Sequence, residues 1–293
     1  MELRVASWNL ESRLSGYEKS GRGSAEHILR GIENLDADVL VLPDAFSEKV
    51  APGVDDRLRE LGYKWHEVLY GTEGRNWSLS HTGKESGMRV LSRLEIVDVE
   101  EVRWGMSRSR MIAMTVRDAA SGGLLRVIGI HFDDRTEEYR ESQINGLADF
   151  VNDSQVLPTI AMGDFNAVHG SDVRARLLGS RLMRWTARNI PSRTIPPPGD
   201  FADDIRGFAM RGTDMMSGRA LKLLEERTNL RDLDPRHKAT ATLKLHGLHW
   251  LPSWRIMQLD HMYATPQVVT KDVKVWPDGG SDHRAISAQL VVK

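Results

Sequence analysis

Residues 88–132 read MRVLSRLEIVDVEEVRWGMSRSRMIAMTVRDAASGGLLRVIGIHF. Strand-like pieces follow one another here with only short turns between them, such as Ser107-Arg108-Ser109 and Ser121-Gly122-Gly123. No helical period fits between the pieces, and strands joined this tightly pair antiparallel. The stretch argues against a purely parallel nucleotide-binding sheet, and no G-x-G-x-x-G follows the first strand of the chain.

Outward from this segment, apolar runs rich in Val, Ile and Leu predict strands over residues 3–8, 39–42, 127–130, 156–162 and 259–263. Most lack clean polar alternation, so both of their faces are covered. Helical spacing appears over residues 24–35, with Ser24 placed as an N-cap, and over 137–151 and 218–227. A mixed two-sheet sandwich with helices outside accommodates all of these. The Pro-rich stretch NIPSRTIPPPGDF, residues 189–201, reads as a long surface loop rather than a linker between domains.

Composition narrows the chemistry. The 293 residues suffice for a large sandwich core, and 40 basic against 41 acidic residues leave a net charge of -1. No global basic field points to nucleic acid, so any partner is chosen locally. There is no cysteine, which excludes disulfides, thiol nucleophiles and thiolate zinc sites. A metal would have to bind through oxygen or imidazole. The start, MELRVASWNLES, lacks the pattern of a signal peptide, and no segment approaches the roughly 20 apolar residues of a membrane span. These features predict a soluble, cytoplasmic protein.

One grammar recurs along the chain: an apolar strand, then at once a residue bearing oxygen or imidazole. Asn9, Asp44, His131, Asp164 and Asp260 each stand in that position. Asp282 and His283 open the last strand after the turn Gly279-Gly280. Neighbours in extended chain point to opposite faces, so both reach one site only through a turn. Asp164 and Asn166 share a face if the chain there stays extended. Taken singly, each has a plain reading: Asp44 and Asp260 as turn formers, Asn9 as a loop cap, His131 as a histidine at a sheet end, and Asp164 with Asn166 as an Asx-turn. Taken jointly, such groups at several strand ends are what a hard-cation site for phosphate chemistry requires.

The ordered set SWNLES, VLVLPD, GIHFD, GDFN, QLDHMY and GGSDHR resembles the endonuclease/exonuclease/phosphatase superfamily of metal-dependent phosphoesterases. GMRVLSR and Arg140-x-x-Gln143 are supporting, architectural matches. The resemblance runs from Trp8 to Arg284, and it implies one domain over residues 1–293. The fold it implies is a four-layer α/β/β/α sandwich of two mixed sheets, with the site at one end. It further implies Mg²⁺ or Mn²⁺ as cofactor, held by Asn9, Asp44 and Asp282. Asp164 would orient or deprotonate the attacking water, with Asn166 as its partner. His283 would steady the phosphorane, Asp260 would hold the His283 ring, and His131 would donate to a phosphate oxygen. One departure stands out: the family's second motif ordinarily ends in Gln-Glu, and here it is Pro43-Asp44. The shorter side chain falls about 1.5 Å short unless the backbone moves in. Glu48 is the substitute ligand to consider, and a binding-only member that has lost its chemistry is the alternative function.

The core motifs do not separate substrates; loops do. Residues 173–199 hold six arginines (Arg174, Arg176, Arg181, Arg184, Arg188 and Arg193), Trp185 and no acidic residue. That composition suits a phosphate backbone and a stacked base, so nucleic acid is the expected phosphoester substrate. A solvated helix face is the alternative reading of the same residues, and Arg103, Arg108 and Arg110 would extend the patch if the fold brings them near. Trp250 and Trp254, before the Asp260 strand, either pack the sheet edge or line the cleft mouth as a phospholipid or phosphoinositide hydrolase would require.

Overall fold

The computed structural model describes residues 1–15, 24–47, 49–69, 86–103, 110–134, 136–153, 157–169, 171–172, 217–243, 254–277 and 279–293. One six-stranded sheet runs β13 (Val268–Val275), β14 (Ile286–Val292), β1 (Glu2–Ser7), β2 (Val39–Ser47), β4 (Ser86–Ser92) and β3 (Lys64–Leu69). The other runs β5 (Glu95–Arg103), β6 (Arg110–Arg117), β7 (Leu124–His131), β8 (Thr159–Asp164), β12 (Asp260–Ala264) and β9 (Arg231–Asp232). Each sheet is mixed: β1 and β2 pair parallel, as do β7 and β8, and the remaining pairs are antiparallel. A short antiparallel pair, β10 (Ala241–Leu243) with β11 (Trp254–Met257), stands apart. The antiparallel reading of residues 88–132 holds for β5, β6 and β7, whereas β4 belongs to the other sheet, so the chain changes sheets between Ser92 and Glu95.

Two sheets with apolar residues on both faces need three apolar layers, and three are present. Leu3, Val5, Val39, Val41 and Val90 of the first sheet meet Ile112, Met114, Val127, Ile160 and Met262 of the second in the central core. Outside the first sheet, α1 (Ala25–Leu35) and α2 (Val54–Glu60) pack Ile28, Ile32 and Leu58 against Leu40, Leu42 and Leu91. Outside the second, α3 (Glu137–Asp153) and α4 (Arg219–Arg227) pack Ile144, Leu147, Leu221 and Leu224 against Ile128, Ile130 and Ala161. The result is the α/β/β/α order. Ser24 caps α1 as its sequence predicts, its hydroxyl accepting from the His27 N–H at 3.4 Å. No helix of the described residues is long and apolar enough to cross a membrane.

Strand parity places the polar residues. Val127 of β7, Ile160 and Met162 of β8, and Met262 and Ala264 of β12 all face the central core. Further on in the same direction come His131, four residues past Val127, and Asp164 and Asp260, each two past a core residue, so the inward row turns polar at one end of the sandwich. The register aligns that row across three strands, since His131 pairs with Asp164 and Asp164 with Asp260.

Candidate active site

Beyond the row His131, Asp164 and Asp260, the first sheet supplies the opposite wall. The parallel pairing of β1 and β2 continues past the strands, with Trp8 N–H donating to Val41 O at 3.0 Å and Leu10 N–H to Pro43 O at 3.0 Å. Ser12 N–H then donates to Asp44 O at 2.6 Å. This holds the Asn9 loop beside Asp44.

Asp44 lies on a bulge. Leu42 pairs with Arg89 and Phe46 with Gly87, so Pro43, Asp44 and Ala45 stand opposite Met88 alone, and Asp44 adopts φ 45°. The extra residues displace the backbone from the ladder, and the Asp44 carboxylate comes to 3.6 Å from His131 Nδ1. Glu48 lies outside the described residues.

Asp164 is the hub. Its Oδ2 accepts from Asn9 Nδ2 at 2.8 Å, and it stands 3.9 Å from His131 Nε2 and 3.8 Å from His283 Nε2. Its Oδ1 accepts from the Asn166 N–H at 2.9 Å. That bond is an Asx-turn, and Asn166 has φ 47°, so the chain is no longer extended there and the two side chains do not share a strand face. The Asn166 carboxamide instead donates from Nδ2 to Phe132 O at 2.9 Å, locking the loop after His131 to the loop after Asp164. Phe165, the aromatic between the two polar residues, points the other way into the outer core, edge-on to Phe132 at 5.1 Å. Gly163 has φ 149°, and a Cβ there would sit 1.9 Å from Ile130 O, so no other residue fits before Asp164.

His283 reaches the hub from the far end of the chain. Its Nδ1 lies 2.7 Å from Asp260 Oδ2; the carboxylate accepts, so Nδ1 carries the hydrogen and Nε2 faces Asp164. The turn at Asp282 and His283 is held by Ser281, which donates to Asn9 O at 2.7 Å, with Asp282 Oδ1 3.3 Å from the same hydroxyl oxygen. Ser281 Oγ also accepts from the His283 N–H at 3.2 Å. Trp8 Nε1 donates to His283 O at 3.1 Å, and the Trp8 ring fills the space that a side chain on Gly279 would need.

Burial pushes the Asp164 carboxyl above its usual range and Asp260 adds to this, while His283, His131 and the Asn166 N–H pull the other way. Burial alone would lower the His283 imidazole, but Asp260, Asp164 and Asp282 outweigh it and hold the ring well above the ordinary histidine range. A basic carboxylate can take a proton while the cationic imidazole beside it gives a hydrogen bond.

Several contributors carry no signal in the sequence. Thr240 is fully buried, and its Oγ1 accepts from the Asp260 N–H at 3.1 Å, fixing a strand that begins twenty residues later. Ser281 and Gly163 likewise act through backbone geometry. Arg140 and Gln143 are architectural as expected: Arg140 Nη1 donates to Asp133 O at 3.0 Å and Gln143 Oε1 accepts from the Asp133 N–H at 2.9 Å, pinning the loop after His131. The arginine-rich residues 173–199, Arg108 and Trp250 lie outside the described residues, as do the side chains of Arg103, Arg110 and Trp254.

The donor set can be tested against a cation. Asn9, Asp44 and Asp282 offer oxygen only, and Asp260 Oδ1 is buried without a hydrogen-bond partner. Donor atoms of Asp164, Asp260 and His283 also lie within 4.8 Å of one another. Donors of these kinds fit a divalent ion.

Known proteins place this architecture. The human nocturnin catalytic domain, solved with a bound sulfate, superposes with a TM-score of 0.62 at 18% identity over 100% of this chain and 95% of that one. A 3' phosphatase from Neisseria bound to a product DNA hairpin gives 0.58 at 18% identity, covering 98% of each chain. A mannosyl-6-phosphatase from Bacteroides thetaiotaomicron gives 0.60 at 15% identity, covering 99% of each. No curated protein sequence matches the chain. The model of the Endonuclease/Exonuclease/phosphatase family matches residues 6–283, and with that match over nearly its whole length the chain belongs to this family of phosphoester hydrolases.

Proposed function

We propose that the chain, folded as one domain over residues 1–293, is a Mg²⁺- or Mn²⁺-dependent phosphodiesterase that hydrolyses nucleic acid by in-line attack of water. The observation that carries this reading is Asp164, a buried carboxylate held by Asn9 and flanked by two imidazoles at 3.8 and 3.9 Å. Asp164 Oδ2 orients the attacking water and takes its proton; its raised basicity suits that task. Asn9 and Asn166 fix the direction of the carboxylate. His283, kept cationic by Asp260, donates from Nε2 to the phosphoryl oxygens as negative charge grows on them, and His131 donates from the opposite side. Asn9, Asp44 and Asp282 would hold the cation. A divalent ion bound there supplies positive charge against the phosphoryl oxygens.

Nucleic acid as substrate is supported by the six arginines and Trp185 of residues 173–199, which follow directly on the GDFN loop. A relative bound to DNA is in keeping with it. The test is a panel assayed with Mn²⁺ and with chelator: abasic duplex, single-stranded DNA, RNA, inositol phosphates, sphingomyelin, mannose 6-phosphate and a chromogenic diester. Chelator-sensitive cleavage of a polynucleotide is expected. Turnover confined to a lipid or sugar phosphate would move the substrate assignment, and binding of phosphate ligands with no turnover would leave a binding protein.

A further inference from the structure

A second cluster lies on the outer side of the second sheet. His169 stands on the loop leaving GDFN, Asp232 ends the edge strand β9 opposite Tyr263, and His237 sits in the following turn with φ 47°. One donor atom from each of the three lies within 4.8 Å of the others. The two imidazoles stack with centroids 4.4 Å apart and planes 13° apart.

Hydrogen bonding within the protein satisfies this cluster only in part. His169 Nδ1 accepts from the Ser171 N–H at 3.1 Å and lies 2.7 Å from Ser171 Oγ, while His237 Nε2 lies 2.8 Å from that same oxygen. Ser171 Oγ can donate to only one of the two rings, so the other nitrogen must either donate to it or bind elsewhere. His237 Nδ1 faces two acceptors, Gln258 Oε1 at 3.3 Å and Asp232 Oδ2 at 3.4 Å, both long for good bonds. The Asp232 side chain is only 10% exposed, yet its Oδ2 accepts no hydrogen bond; Gln258 Nε2 and His261 Nδ1 close by are buried without a partner too. A buried carboxylate oxygen whose nearest donor is a ring nitrogen 3.4 Å away gains from a cation that draws closer to it.

We propose that His169, Asp232 and His237 form a second divalent-cation site, separate from the phosphoester centre. Two imidazoles with one carboxylate select a borderline ion of the Zn²⁺ class over Mg²⁺ or Ca²⁺, which prefer oxygen alone. The outer contact fits that chemistry: His169 Nε2 donates to Glu225 Oε1 at 3.1 Å, the carboxylate-histidine arrangement, and ligation through Nδ1 would displace the Ser171 N–H held there at 3.1 Å. Bound there, the ion ties the loop that carries Asp164 and Asn166 to the sheet edge at β9. Its role is to brace the loop, not to react.

The experiment uses full-length protein stripped with chelator and titrated with Zn²⁺ alone, read by calorimetry, by bound metal per chain and by thermal unfolding. Asp44→Ala with Asp282→Ala and Asp164→Ala serves as the background that weakens cation binding at the phosphoester centre. The expected result is one Zn²⁺ bound per chain in that background with a rise in Tm, and loss of both on adding His169→Gln or Asp232→Asn. Co²⁺ absorption of the background protein, with an imidazole-type visible band, gives a readout that does not depend on how the added variants fold. Failure of the background protein to bind Zn²⁺ or Co²⁺ overturns the proposal, as does Zn²⁺ binding unchanged by His169→Gln and Asp232→Asn.

Discussion

In the proposed mechanism Asp164 and His283 touch the reacting groups, and neither belongs to an apolar core, so their removal separates chemistry from folding. Asp164→Ala and His283→Ala are each expected to lower turnover by about 10²-fold or more, with the unfolding midpoint close to the parent. Activity within about tenfold of the parent, measured on a chromogenic diester, would assign them a structural role instead. Asp44 tests the departure from the family's usual glutamate. Asp44→Ala should lose most activity at low metal and regain part of it at high Mn²⁺, and Asp44→Glu should move the metal preference toward Mg²⁺ unless the bulge already supplies the missing reach. The bulge at Asp44 makes that second outcome informative in either direction. Away from the site, Tyr63 gives a pH prediction. It is buried, its hydroxyl donates to Ala37 O at 2.7 Å, and burial lifts its pKa to about 12 while Arg93 pulls the other way. The folded value lies above the unfolded value of about 10, so the stability tied to the neutral phenol is complete below about pH 10 and is lost as the pH rises toward about 12. The urea midpoint should therefore fall more steeply above about pH 10 in the parent than in Tyr63→Phe, which gives up about 1 kcal/mol of hydrogen bonding at neutral pH.

Strands β7, β8 and β12 show why much of the site was legible in the sequence. Their inward-facing residues form an apolar run that ends in His131, Asp164 or Asp260, and parity carries each into the same row. The N-cap Ser24 was legible for a similar reason, as a local signal with a local consequence. The turn at Asn166 was not: extended chain and Asx-turn suit Asp-Phe-Asn equally, and only the long-range bond to Phe132 O favours the turn. The edge strands β3 and β13 were missed because half their residues or more meet water; they carry Lys, Asp and Glu among few buried positions. Helix α2, seven residues long, is too short to show a period. At this scale Gly163→Ala is the informative change. Its Cβ would overlap Ile130 O, so strand β8 must part from β7 where the two carry Asp164 and His131. We expect a loss of about 3 kcal/mol or more in urea unfolding together with reduced turnover. A variant as stable as the parent would show that the backbone yields there without cost.

Across the whole molecule, the two sheets bring chain positions from Asn9 to His283 to one end, a convergence that only the ordered set of motifs foretold. Spacing could not, because each contact spans a different loop. The proposed recognition of nucleic acid rests on the sequence of residues 173–199. Reversing Arg181, Arg184 and Arg188 to Glu should weaken polynucleotide binding and flatten its salt dependence while leaving a small chromogenic diester unaffected. Equal loss on both substrates would mean that these arginines support the fold. The central claim, that the site is a metal-dependent phosphoester hydrolase built around Asp164 and His283, is tested most directly by one rate measurement. Full-length protein and His283→Ala are assayed side by side on a chromogenic phosphodiester, with Mn²⁺ and with excess chelator. The account predicts turnover in the parent that chelator abolishes and that His283→Ala lowers by about 10²-fold or more. Turnover that survives chelation, or that His283→Ala leaves within about tenfold of the parent, would contradict it.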